Sequence, residues 1–214
     1  MTDGPVFPFL MALPGLLLSP AAELVIARTL PRLGSTPAPQ VRITTAAVTS
    51  LLFGLLAWRF GFSSELPAFL LLALLGVQLS RIDFALHLLP NALIVFLLGG
   101  GLLLLAASAA LAPGWPELAR ALAGGAVLFA SYVILKLISP KNLGMGDVKL
   151  AAPLGLYLGY LGWQQVLFGG LLGFVVGGVL TVLMLRLRRT EKPTETAHGP
   201  AMVIGALSVA LVMS

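Results

Sequence analysis

Apolar runs recur along nearly the whole chain, divided by short stretches of proline, glycine and charged residues. They extend about Val6 to Ile26, Thr44 to Trp58, Leu66 to Ser80, Asn91 to Leu111, Ala119 to Ile138, Val148 to Leu161, Val166 to Leu185 and Pro200 to Val212. A bilayer core asks for about 20 apolar residues per crossing, and backbone in hydrocarbon must satisfy its own hydrogen bonds, which a helix does. The pattern predicts an all-α polytopic bundle of about eight transmembrane helices, with residues 1–214 forming one membrane-embedded domain. Pro8, Pro14 and Pro20 predict a kink in the first span, and Pro90 suits the first turn of the fourth. The connections are a loop over Arg28 to Arg42, turns over Arg59 to Glu65 and Pro113 to Glu117, a breaker-rich segment from Ser139 to Gly146, and a basic loop from Arg186 to Gly199. Gly169, Gly170, Gly173, Gly177 and Gly178 in the seventh span read as small residues for close helix packing.

Composition agrees: 58% of the residues are hydrophobic, 10% are charged, and the mean hydropathy is +1.02. A net charge of +5 would suit nucleic acid in a soluble protein, but here its distribution reports orientation, and no nucleic-acid partner is expected. With the N-terminus outside, eight alternating spans put Arg28, Arg32, Arg42, Arg81, Lys136, Lys141, Lys149, Arg186, Arg188, Arg189 and Lys192 inside, and only Arg59 and Arg120 outside. That asymmetry predicts N-out, C-out topology, with Trp58, Trp115 and Trp163 at the outer interface. There are no cysteines, which excludes disulfides, thiolate zinc sites and cysteine nucleophiles. No basic region precedes the first apolar run, so that run is expected to be a retained span rather than a cleaved signal peptide.

Against this background two carboxylates stand out. Asp147 opens the sixth span within Gly144-Met145-Gly146-Asp147-Val148-Lys149-Leu150, and Asp83 closes the third. Taken singly, Asp147 could be a helix N-cap, and Asp83 an interfacial carboxylate neutralised by Arg81 or Lys141. Topology puts both at the cytoplasmic ends of their helices, where they can face each other. Two carboxylates about one water apart cannot both ionise, so one acts as base while the other keeps its proton. Such a pair can activate water against a peptide carbonyl and polarise that carbonyl, while Gly144 and Gly146 let a substrate backbone come close.

Glu23 is a third candidate near the site, with snorkelling or pairing to Arg28 as its plainer explanation. Lys136 and Lys149 read as interfacial anchors, Lys149 also lying beside the Gly-x-Gly-Asp stretch. His87 and His198 form no ligand set at sensible spacing, so neither a metal nor a cofactor is expected. No serine sits in a Gly-x-Ser-x-Gly elbow.

Ile82-Asp83 followed by Pro90-Asn91, together with the Gly144 to Leu150 stretch, resembles the type IV prepilin leader peptidases, membrane aspartic proteases of the Gly-x-Gly-Asp class. Val25-Ile26-Ala27-Arg28, Leu51-Leu52-Phe53 and His198-Gly199-Pro200-Ala201 extend the similarity over most of the chain. The resemblance implies an enzyme of the cytoplasmic (inner) membrane that removes the basic leader of prepilins or pseudopilins ahead of their apolar N-terminal helix. It places the two catalytic aspartates on Asp83 and Asp147, requires no metal, and connects the chain to pilus or type II secretion assembly. Larger members carry a Cys-x-x-Cys insert between the first two spans and are also N-methyltransferases. Here that loop is short and cysteine-free, which counts against the zinc site and against methylation. Where family members usually read Gly-Ser-Phe-Leu-Asn, this chain reads Ser19-Pro20-Ala21-Ala22-Glu23. A small proton-coupled transporter using Glu23, Asp83 and Asp147, or a non-catalytic pilus-assembly scaffold, would be the alternatives. Clustering of both aspartates at one face speaks against the transporter. A presenilin-like protease would more usually carry Tyr-Asp at Ile82-Asp83.

Overall fold

The computed structural model describes residues 6–31, 36–140, 143–187 and 198–213, with side chains of the seventh helix described through Val179. Eight helices follow in order: α1 (Val6–Thr29), α2 (Pro39–Phe60), α3 (Leu66–Leu86), α4 (Asn91–Leu111), α5 (Trp115–Ile138), α6 (Met145–Leu161), α7 (Trp163–Leu187) and α8 (Gly199–Val212). Among the described residues, five of them, α1 to α5, are long and apolar enough to cross a membrane. α6 has 17 residues, α8 has 14, and α7 contributes a shorter apolar stretch over Trp163–Val179. The protein is thus an all-α, multi-pass membrane bundle in which five helices meet the length and hydropathy of a span.

Helix ends differ from the expected runs in one direction, outward into polar sequence. α2 starts at Pro39 rather than Thr44, α3 continues past Ser80 to Leu86, and α5 begins at Trp115, inside the expected turn. Hydropathy marks where hydrocarbon ends, whereas helical hydrogen bonding continues until a residue breaks it. For α3 that residue is His87, which adopts the left-handed conformation (φ 49°) and donates its N–H to the Asp83 carbonyl at 2.9 Å. Asp83 therefore lies within the last helical turn. The expected loops over residues 32–35 and 188–197, and Lys141, fall outside the described residues.

Large apolar side chains point outward along the bundle, among them Phe9, Phe96 and Leu103, as expected where lipid is the solvent. α3 runs through the middle, touching α1, α2, α4, α6 and α8. Phe69, Leu72 and Leu79 of α3 are fully buried with Leu97 and Leu105 of α4 and Leu150 and Tyr157 of α6. The three most extensive helix pairs, α5 with α6, α1 with α2 and α7 with α8, rest on glycines. A Cβ on Gly155 would lie 2.5 Å from the Gly124 carbonyl oxygen, and one on Gly159 would lie 2.8 Å from the Arg120 carbonyl oxygen. Likewise, a Cβ on Gly205 of α8 would meet the Gly173 nitrogen of α7 at 2.6 Å. With no hydrophobic gain between helices in lipid, backbone contact of this kind is a main source of attraction.

Arg120 locks the α5–α6 pair from its far end. Its Nε donates to the Gly159 carbonyl and its Nη2 to the Tyr160 carbonyl, both at 2.8 Å, so a cation closes the C-terminus of α6. Arg120→Ala is expected to cost about 1–3 kcal/mol, seen as a thermal midpoint several degrees lower in detergent. At this same end Arg59 donates to the Met213 carbonyl, Ser64 bonds Ser108, and Trp58, Trp115 and Trp163 stand exposed.

Candidate active site

At the opposite end, Asp147 is placed by the start of α6. Gly144 is the extended N-cap, so Asp147 is the third residue of the helix rather than the cap itself. Its Oδ2 reaches back to accept the Gly144 N–H at 3.1 Å, the carboxylate half of a capping box. Gly144 has no side chain to supply the other half. Capping alone would be served by an exposed carboxylate, yet Asp147 is 7% exposed and Asp83 5%.

Asp83 is held by a different helix. Its Oδ2 accepts the backbone N–H of Gly199, the first residue of α8, at 3.1 Å. Each aspartate thus rests on a helix N-terminus, where orphan N–H groups and the helix dipole favour negative charge. Among the described residues each carboxylate accepts one hydrogen bond, through Oδ2 from a glycine N–H, leaving Oδ1 without a protein donor. The two carboxylates lie within electrostatic range of each other. The structure brings them to the same end of the bundle from α3 and α6.

Leu89 fills the space between their supports. A Cβ on Gly146 would meet the Leu89 Cβ at 2.9 Å, and one on Gly199 would meet the Leu89 methyls at 3.3 Å and Asp83 Oδ2 at 2.9 Å. Gly146 is therefore occupied by the protein's own packing. A side chain on Gly144 would crowd Asp147 Oδ2 at 3.1 Å.

Lys149 donates to Asn91 Oδ1 at 3.0 Å and so ties the first turn of α6 to that of α4. Lys136 donates to the carbonyls of Pro140 and Leu143, both at 2.5 Å, fixing the connection that delivers Gly144, and its charge reaches Asp147. His87 faces Asp83 electrostatically.

Glu23 belongs to a neighbouring network. It is fully buried, accepts the Thr45 hydroxyl at 2.6 Å and pairs with Arg42 at 3.3 Å, not with Arg28. That ion pair lies off hydrogen-bond alignment. Arg81 lies near enough to feel the Glu23 charge; it donates to Gln78, which donates to Ser19. The helix that carries Asp83 is tied to α1 and α2 by this route. Among the described residues no three His, Asp or Glu side chains gather as a metal-ligand set.

Two contributors were not read from the sequence as parts of the site: Gly199 and Leu89. Gly199-Pro200 is a helix-start signal that could have directed attention to the first N–H groups of α8. Nearby, the Tyr132 hydroxyl of α5 meets His198 Nε2 at 3.4 Å.

The sequence pattern of the Type IV leader peptidase family matches residues 68–182, just over half of the chain and inclusive of both aspartates. The chain belongs to the type IV leader peptidase family. Named relatives agree. It is 38% identical over 155 residues to the prepilin leader peptidase/N-methyltransferase of Stutzerimonas stutzeri, covering 72% of this chain and 52% of that protein. The Pseudomonas aeruginosa protein of the same name is 38% identical over 158 residues, covering 73% and 53%. That of Neisseria gonorrhoeae is 30% identical over 158 residues, covering 73% and 52%. The chain spans about half the length of these curated relatives. No solved structure shows a significant match. The matched stretch of this leader peptidase family member runs from α3 into α7 and so contains Asp83, Asp147, Gly144, Gly146 and Lys149, but neither Glu23 nor Gly199.

Proposed function

We propose that this family member is a membrane aspartic endopeptidase that removes the basic leader of prepilins or pseudopilins at the cytoplasmic face, with Asp83 and Asp147 as its catalytic pair. The observation that carries this reading is the convergence of two buried carboxylates on one end of the bundle, each steadied by a glycine N–H.

The chemistry follows from that arrangement. One aspartate, ionised, takes a proton from a water as its oxygen attacks the scissile carbonyl carbon. The other, protonated, donates to the carbonyl oxygen as the tetrahedral centre forms. Collapse of that centre breaks the C–N bond, and a proton returns to the leaving amine. Held at Oδ2 by a glycine N–H, each carboxylate has no donor at Oδ1 among the described residues, and that oxygen serves water or substrate. The pair titrates as a unit, so the two roles belong to the dyad. Neither metal nor cofactor enters the cycle.

Eight spans, N-out and C-out, would set this end in the cytoplasm, since Arg28, Arg42, Arg81, Lys136 and Lys149 surround it while Arg59 and Arg120 lie at the other. The chain would then act as a single domain in the inner membrane. Its partners would be prepilins whose apolar N-terminal helix lies in the bilayer. Cleavage alone is proposed; methylation of the new N-terminus is not part of it.

The test is co-expression with a prepilin whose leader ends in glycine ahead of an apolar helix, in a host lacking its own leader peptidase. Appearance of the mature band is expected. Correct insertion without cleavage of several prepilins would favour the scaffold or transporter reading.

A further inference from the structure

The connection from α3 to α4 is four residues long, His87-Leu88-Leu89-Pro90, and both of its ends are pinned. Upstream, the His87 N–H bonds the carbonyl of Asp83 itself at 2.9 Å. Downstream, Pro90 is the N-cap of α4, and its carbonyl accepts the N–H groups of Leu93 and Ile94 at 3.1 and 3.2 Å. The first turn of α4 is joined in turn to α6, because Lys149, two residues past Asp147, donates to Asn91 Oδ1 at 3.0 Å. A connection so short and so tied holds its side chains in place.

Of its two leucines, Leu88 is exposed and Leu89 is buried. Leu89 enters between the heads of α6 and α8. On one side, a Cβ on Gly146 would lie 2.9 Å from the Leu89 Cβ and 3.1 Å from its Cδ1. On the other, a Cβ on Gly199 would lie 3.3 Å from both Leu89 methyls. The leucine therefore packs on the residue before Asp147 and on the residue whose N–H holds Asp83 Oδ2. Glycine at both positions makes room for it.

We infer that Leu89 is a positioning residue, a spacer whose bulk sets the separation of the helix heads around Asp83 and Asp147, and so the separation of the two carboxylates. It acts through the glycines on either side and touches no reacting atom. A close-packed interior transmits a change of this kind, and a void left by a shortened side chain is partly collapsed into by its neighbours. Catalysis by a pair of groups tolerates little of that, since a misplacement of about 1 Å can cost about a hundredfold in rate. The inference rests on the proposed peptidase reading and adds to it a residue outside the two aspartate motifs.

The experiment uses the purified full chain in lipid vesicles with a prepilin substrate, measuring kcat per folded enzyme and KM separately. Leu89→Ala is expected to lower kcat about tenfold to a hundredfold with KM unchanged. Leu89→Val, which disturbs the fold less, should give a smaller loss in the same direction, and Leu89→Met, close in volume, should stay within about threefold of wild type. The spacing itself is read without reference to activity. Because the chain has no cysteine, nitroxide labels can be attached through Phe84→Cys and Met145→Cys, exposed positions beside the two aspartates on α3 and α6. Their dipolar coupling should shift or broaden with Leu89→Ala and keep its wild-type form with Leu89→Met. Cleavage by wild type with kcat within about twofold in both Leu89→Ala and Leu89→Val would overturn the inference while leaving the peptidase reading intact. So would a change confined to KM, or a lowered kcat with unaltered label coupling. Absence of cleavage by the wild-type chain would overturn the peptidase reading, and this inference with it.

Discussion

Asp147→Asn is expected to lower prepilin cleavage by about 10³-fold or more, with the protein still folded and inserted. The amide oxygen of asparagine can still accept the Gly144 N–H, so the start of α6 keeps its cap. What is lost is the ability to ionise or to carry a transferable proton. Asp83→Asn follows the same logic, because its amide oxygen can still accept the Gly199 N–H. Band intensity of the mature pilin, read beside thermal unfolding in detergent, separates the two possibilities. An unchanged midpoint with lost cleavage is the chemical result; a lowered midpoint in step with lost activity would mean that the carboxylates act as structural caps.

Gly155→Leu should have the largest effect on stability. The Gly155 Cα hydrogens face the Gly124 carbonyl and Gly125 Cα, so a side chain there forces α5 and α6 apart instead of displacing a movable group. Overpacking of a tight contact costs about 1–3 kcal/mol when neighbours can move, and these neighbours are backbone. Activity should fall with stability, because α6 presents Asp147 while α5 carries Lys136, which fixes the connection between them. Gly178, where a Cβ would meet nothing within 4 Å, is the matching control: Gly178→Ala should leave the thermal midpoint unchanged or slightly raised.

Much of this arrangement was legible in the chain. The fourth span was read as Asn91 to Leu111, the bounds of α4, because Pro90 and the Ala112-Pro113-Gly114 break bracket an uninterrupted apolar run. Hydropathy placed all eight helices but shortened several of them, since it senses solvent preference and not hydrogen bonding. That is why Asp147 read as a possible cap when it is the third residue of its helix. The proximity of Asp83 and Asp147 followed from counting spans, and the structure brings both to one end.

What could not be read depends on contacts between segments distant in the chain. Glu23 has an arginine nearby in sequence, Arg28, but its partner is Arg42 across the next connection, together with Thr45. Helix rotation decides between such partners, and rotation is set by packing. Gly199 acts through a backbone N–H, which the helix-start signal of Gly199-Pro200 locates in the chain without showing that Asp83 is its partner. The α5–α6 contact has its own sequence signal in Gly155-Leu156-Tyr157-Leu158-Gly159, a small-residue repeat at helical spacing that is sparser than the glycines of α7.

The most direct test of the central claim, that Asp83 and Asp147 act as one catalytic unit, is the initial rate of prepilin cleavage by purified chain in lipid vesicles. Four proteins are compared: wild type, Asp83→Asn, Asp147→Asn and the double variant. Groups that work together are not additive, so the account predicts cleavage at the leader junction by wild type and the same residual rate for all three variants. A single variant that keeps a rate near wild type, or a double variant far slower than either single, would contradict it.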